Sequence, residues 1–181
     1  MEPPDPARYR FCPVCAAPLQ PRVVKEGEPP RPWCDACGFV SYGNPRLAAC
    51  TIAVVDGGIV LVKRANEPKR GKWVFPGGFV DRGEAVAAAA IRETREEVKL
   101  RVGLTGILDV YSFPGQDTVV VVYAAHVLSG KPEVGDEALA VTCFKPEDIP
   151  WGELGFDTTR AALQDYLRRF FPRVRIPRGI G

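Results

Sequence analysis

The stretch Gly78 to Leu100, read GFVDRGEAVAAAAIRETREEVKL, leaves the chain few ways to fold. A glycine turn leads to Glu84, and Arg92-Glu93 and Glu96-Glu97 follow on what reads as one helix. At ~100° per residue, Glu93, Glu96 and Glu97 fall within one arc of the helix surface. Ala87, Ile91, Thr94 and Val98 cluster on the opposite side. Carboxylates at i, i+3 and i+4 repel one another and weaken an isolated helix. A cation held between them turns that cost into a binding site, and an oxygen-only cluster suits Mg²⁺ or Mn²⁺. The competing reading is a solvated face on which Arg92 and Arg95 neutralise the glutamates. It accounts for the charge but not for the glycine turn upstream of Glu84.

Gly78-x5-Glu84-x7-Arg92-Glu93-Thr94-Arg95-Glu96-Glu97-Val98-Lys99-Leu100 resembles the Nudix box, GX5EX7REUXEEXGU with U a bulky apolar residue. Pro76-Gly77 also resembles the usual lead-in. Every charged position matches, and two positions depart. Thr94 stands where an apolar residue is usual, though its β-branched methyl can still pack. Lys99 stands where a glycine is usual, and that glycine serves to adopt positive φ after the helix. The helix is therefore expected to leave by another turn.

The resemblance implies that Glu93, Glu96 and Glu97 ligate Mg²⁺ or Mn²⁺, with the Gly77 carbonyl as a further ligand. Arg92 is expected to orient Glu93 rather than touch substrate. Glu84 lies about half a turn from the ligands on a regular helix. It stands as a supporting residue that reaches the site from the helix entrance, with capping as its competing role. The candidate catalytic set is thus Glu84, Arg92, Glu93, Glu96 and Glu97. Within the box Glu96 and Glu97 lead as general base, and Glu137 is a candidate from a loop. The competing reading of Glu137 is an ordinary exposed acid.

Cys12, Cys15, Cys34 and Cys37 form Cys-x2-Cys-x18-Cys-x2-Cys, a spacing that reads as a tetrahedral Zn²⁺ site. Pro13 and Gly38 suit tight knuckles. Four thiolates leave no open position, so this zinc is structural. Disulfides are the alternative, but the stretch MEPPDPARYR lacks the apolar core of a signal peptide, so metal is the expectation. Cys50 and Cys143 sit in strand-like runs and read as buried small hydrophobes. His126, in an apolar strand, reads as packing. Trp33 covers the zinc module or stacks a base. Tyr111, Phe113 and Pro114 select substrate or simply pack.

The zinc ribbon is expected over residues 9–43, the Nudix domain over 46–171 and a basic tail over 172–181. Residues 1–8 are proline-rich. Thr51–Val55 and Ile59–Lys63 read as a hairpin about Asp56-Gly57-Gly58. Strands are predicted at Trp73–Phe75, Leu104–Phe113, Thr118–Val127 and about Leu139–Phe144. Asp81-x-x-Glu84 has the form of a capping box. A last helix over about Asp157–Phe171 places Leu163, Tyr166, Leu167, Phe170 and Phe171 on its apolar face. The expected class is α/β (α+β), a mixed sheet between helices, in agreement with the α/β/α sandwich that the resemblance implies.

At 181 residues, 46% hydrophobic and 25% charged, the chain reads as soluble and globular. A net charge of +2 argues against nucleic acid as partner. No apolar run is long enough for a membrane span, and the expected compartment is the cytoplasm. The cysteine module ahead of the box resembles the arrangement in NADH pyrophosphatases and in compact zinc-ribbon Nudix proteins acting on ADP-ribose or FAD. The segment after the box, Leu108 to Gly115, does not match the NADH pyrophosphatase array. Phe144 to Phe156 is more similar to the compact type. The resemblance implies metal-dependent hydrolysis of an ADP-containing dinucleotide to AMP and a phosphorylated remainder, by a homodimer. Two alternatives stay open: a nucleoside triphosphate pyrophosphatase, and a non-catalytic nucleotide sensor with a zinc ribbon.

Overall fold

A computed structural model describes residues 9–176. The proline-rich start and the last five residues of the basic tail lie outside them. The chain divides into two compact units, Met1–Pro45 and Arg46–Gly181.

In the first unit, β1 (Gln20–Arg22) pairs antiparallel with β2 (Arg31–Trp33), with Pro21 opposite Pro32. Prolines donate nothing to a ladder, so three residue pairs cannot hold this hairpin alone. Two cysteine knuckles of matching geometry flank it. The Ala16 N–H donates to the Cys12 carbonyl and the Gly38 N–H to the Cys34 carbonyl, each at 2.9 Å. Both donors have positive φ, 60° at Ala16 and 76° at Gly38.

In the second unit, β3 (Arg46–Val55) is the centre of a seven-stranded mixed sheet. It runs parallel to β8 (Thr118–Ser129) on one edge. The other edge is shared: Val54 and Val55 pair with β4 (Gly58–Arg64), then Ala48–Cys50 pair with β6 (Gly77–Phe79). Asp56 and Gly57 have φ of 50° and 78°, as a two-residue type I′ hairpin requires. β4 continues against β5 (Trp73–Val74) and β9 (Ala138–Phe144), and β7 (Arg101–Tyr111) closes the far edge against β8. The glycine turn of the sequence reading thus contains a strand, because β4 diverges and leaves half of β3 unpaired.

Side chains alternate across β3. Ala48, Cys50 and Ile52 join one core with Ala162, Leu163, Tyr166 and Leu167 of α2 (Asp157–Phe170). Ala49 packs on the other face against Ala89 and Ala90 of α1 (Val86–Val98), and Ala53 joins a cluster with Val98. A strand covered on both faces needs a nearly unbroken apolar run, which LAACTIAVV provides. The predicted apolar face of α2 needs one change. Phe170 is 46% exposed, although its ring lies 4.6 Å from that of Tyr166. Among the described residues no helix is long and apolar enough to cross a membrane.

Candidate active site

Two glycines set α1 against the sheet. A Cβ on Gly78 would lie 2.5 Å from the Glu93 carboxyl carbon, so that carboxylate rests directly on β6. A Cβ on Gly77 would lie 2.6 Å from the Ala49 carbonyl, and the Gly77 N–H donates to Glu97 Oε2 at 3.0 Å. The glutamates therefore do not sit opposite the buried side, as the periodicity predicted. Glu93 and Glu97 share it with Ala89, Ala90, Thr94 and Val98, whereas Ala87 and Ile91 are exposed. The periodicity fixed relative angles, and the small surface of Gly77-Gly78 chose which arc turns inward. Gly78→Ala is expected to shift stability by only about 1 kcal/mol, because the obstructed group is the end of a flexible side chain. Turnover should fall far more, since Glu93 must leave its seat; equal losses in a paired melting and activity assay would contradict this.

Arg92 spends all five of its donors on the protein. Nε and Nη2 hold Glu84 as a fork, at 2.8 and 2.9 Å. Nη1 reaches Glu93 at 2.7 Å and Glu96 at 3.2 Å, and Nη2 also reaches the Phe79 carbonyl at 3.2 Å. This fork holds the Glu84 carboxyl down to about 2, helped by the Asp81 N–H at 3.1 Å. The capping box is only half formed. Glu84 reaches back to Asp81 as such a box requires, but the helix starts at Val86 behind Ala85, with no side-chain cap. Glu84 thus reaches Glu93 and Glu96 through Arg92, and all four side chains form one linked network.

Glu97 is moved the opposite way from Glu84. Burial pushes its carboxyl up to about 7, the Gly77 N–H opposes this, and the Glu93 and Glu137 charges add to it. Burial also raises Glu93, with Arg92 in opposition. Glu137 arrives on a loop that caps α1: the Gly135 N–H donates to the Glu97 carbonyl at 2.9 Å, and the Glu133 N–H to that of Val98 at 3.1 Å. A Cβ on Gly135 would lie 2.4 Å from the Glu96 carbonyl, so only glycine allows this approach.

Because Glu97 binds its proton more tightly folded than unfolded, its contribution to stability falls as pH rises from about 4.5 to about 7, then levels. Melting of the chelator-treated protein across that window should show a smaller fall in Glu97→Gln than in wild type. A divalent cation needs the ionised form, so its apparent affinity should rise with pH up to about 7.

In the N-terminal unit the sulfur atoms of Cys12, Cys15, Cys34 and Cys37 all lie within 4.8 Å of one another. The Cys12–Cys37 and Cys15–Cys34 separations are 3.5 and 3.4 Å, far from a ~2.05 Å disulfide bond. Thiolates on one tetrahedral zinc stand roughly 3.8 Å apart, given ~2.3 Å Zn–S bonds. Burial disfavours the Cys12 thiolate, but the backbone N–H groups of Cys15 and Val14 outweigh this and bring it to about 7. A soft, four-sulfur set at these separations fits zinc.

Residues 44–169 match the NUDIX domain family, and residues 10–43 match the Nudix N-terminal zinc-ribbon family. The chain belongs to the Nudix family. It is 35% identical over 131 residues to the ADP-ribose pyrophosphatase of Methanocaldococcus jannaschii, covering 70% of this chain and 76% of that one. It is 30% identical over 127 residues to the NAD-capped RNA hydrolase NudC of Pseudomonas aeruginosa, covering 67% of this chain but only 42% of that one. A Nudix hydrolase structure from Nitrosomonas europaea superposes with TM-score 0.84 at 30% identity, covering 94% and 97% of the two chains.

Both departures from the Nudix box now have a physical account. Thr94 is fully buried and donates to the Ala90 carbonyl at 2.7 Å, and the Thr51 hydroxyl meets it at 2.7 Å. The polar residue is tolerated because it brings its own partner. Lys99 takes φ of 59° and ψ of 15°, and its N–H donates to the Arg95 carbonyl. The expected alternative exit is therefore wrong, and the Nudix helix leaves by the left-handed residue that a glycine would supply. Lysine accepts it at a cost, partly offset by Nζ donating to the Glu96 carbonyl at 3.1 Å. Lys99→Gly should stabilise the protein by about 1 kcal/mol, read as a higher urea midpoint.

Tyr111 is buried and donates to Asp165 of α2 at 3.1 Å. His126 lies over Gly103, where a Cβ would meet its ring at 2.6 Å. Trp33 carries the Arg22 guanidinium 4.7 Å from its ring centroid.

Proposed function

We propose that the protein hydrolyses the pyrophosphate bond of an ADP-containing dinucleotide of the ADP-ribose, FAD or NADH type, with Mg²⁺ or Mn²⁺. The observation that carries this reading is the half-buried Glu97, seated on the Gly77 N–H beside Glu93 and within the field of Glu137. The likeness to an ADP-ribose pyrophosphatase over 70% of the chain supports the substrate class. With ADP-ribose, water adds to one phosphorus, the bridging P–O bond breaks, and AMP and ribose 5-phosphate leave.

The donors fit a hard cation: all are oxygens, and Gly78 leaves the space in which Glu93 lies. Glu93, Glu96 and Glu97, with the Gly77 carbonyl, are the residues that would hold it. A bound divalent ion offsets phosphate charge and lowers the pKa of water. Arg92 keeps Glu93 and Glu96 at fixed positions and ties them to Glu84 at the helix entrance. Without the cation the Glu97 carboxyl takes up a proton near pH 7, and a bound divalent ion would hold it ionised. Glu137 is the second carboxylate within its field able to accept a proton. A kcat–pH profile whose acidic limb is lost in Glu137→Gln would assign the base to the loop.

Incubation with Mg²⁺ and ADP-ribose, FAD, NADH or nucleoside triphosphates, followed by assay for AMP, tests the reading. Turnover of none of them defeats it. Release of monophosphate and pyrophosphate from triphosphates alone would replace it. Sedimentation of the zinc-loaded chain tests the homodimer that the family resemblance implies.

A further inference from the structure

Arg64 ends β4 beside the acidic cluster, and no sequence motif marks it. Its Nε donates to the Pro68 carbonyl at 3.0 Å, and its guanidinium lies over Phe156, 5.3 Å from the ring centroid. The backbone is held at the same point. The Arg64 N–H donates to the Lys72 carbonyl and the Gly71 N–H to that of Arg64, both at 2.9 Å. The next N–H, of Ala65, donates to the Glu137 carbonyl at 3.1 Å. Arg64 thus adjoins the Glu137 loop, and its charge is felt at Glu97, where it favours the ionised carboxylate.

Its two Nη groups have no hydrogen-bond partner among the described residues, although the side chain is half-buried. A guanidinium gripped at Nε and covered by a ring presents a fixed fork, the donor shape that matches phosphate oxygens. The cluster gathers Glu84, Glu93, Glu96, Glu97 and Glu137, and Arg92 is fully engaged by the protein. An anion entering this field needs a cation whose donors are still free. Arg64 meets that requirement.

We propose that Arg64 binds the substrate pyrophosphate, its Nη groups donating to non-bridging phosphate oxygens. This rests on the reading that a pyrophosphate is the group cleaved. Calorimetric binding of α,β-methylene-ADP, whose P–C–P bridge resists cleavage, tests it on the full chain with Mn²⁺ present. Arg64→Gln is expected to weaken that binding about 10- to 100-fold. Arg64→Lys should lose less, keeping the charge without the fork. Adenosine binding should not change, and Mn²⁺ affinity without nucleotide should hold or tighten once a nearby cation is gone.

Unchanged α,β-methylene-ADP binding in a folded Arg64→Gln overturns the proposal. So does a loss shared equally by adenosine, or a weaker Mn²⁺ affinity, which would place Arg64 in service of the metal site. If Arg64→Gln does not fold, Arg64→Lys carries the same comparison. The analogue is not turned over, so this result is separate from whether any dinucleotide is hydrolysed.

Discussion

Glu97→Gln should lower kcat by about 10²- to 10⁴-fold while leaving the fold intact. The substitution keeps shape and can keep an oxygen on the Gly77 N–H, which now meets Glu97 Oε2 at 3.0 Å. It removes a charge that burial already disfavours, since the carboxyl is pushed up to about 7. Above that pH the variant should therefore melt no lower than wild type, and somewhat higher in chelator. Activity and stability then move in opposite directions, which a merely structural glutamate would not produce. Near-normal turnover in Glu97→Gln would refute the role given to this carboxylate.

Cys34→Ser should act on the other metal. Cys34 is fully buried, with its sulfur 3.4 Å from that of Cys15. Structural zinc contributes on the order of 10 kcal/mol to small modules of this kind, and a hydroxyl is a poor substitute for a thiolate. The β1–β2 pairing has too few backbone bonds to persist without it, because Pro21 faces Pro32. Zinc content should fall to near zero, and limited proteolysis should open residues 9–43 first. A variant that retains its zinc and its protease resistance would show that the cysteines do not form the centre described. The second unit has its own core on both faces of β3 and should keep a cooperative transition.

The acidic box was readable because its signal is chemical, a fixed spacing of charged types that one helix must display. The inward arc of that helix was not, because periodicity gives angles between residues and not the direction of the sheet. Ala87 and Ile91 count as apolar in any pattern yet face solvent, while Glu93 and Glu97 turn toward glycines that leave them room. Lys99 was misread for a related reason: glycine is the cheapest left-handed residue, and lysine can hold the same dihedrals when its N–H and Nζ both find carbonyls. The strand at Gly77–Phe79 depends on β4 leaving β3, which no local signal announces. Glu137 was visible only as a loop acid. The loop's contacts with the last carbonyls of α1 are what bring its charge to the site.

The buried threonine pair also limits how this sequence can drift. An apolar residue at position 94 alone, the family's usual choice, would remove the acceptor of the Thr51 hydroxyl, which has no solvent to turn to. Such a stranded donor costs about 1–3 kcal/mol, enough to remove many lineages before a second change arrives. A valine at position 51 alone leaves Thr94 still bonded to Ala90, so it is the cheaper first step. The two sites are 43 residues apart in the chain, yet they should change in a preferred order, with position 51 ahead of position 94.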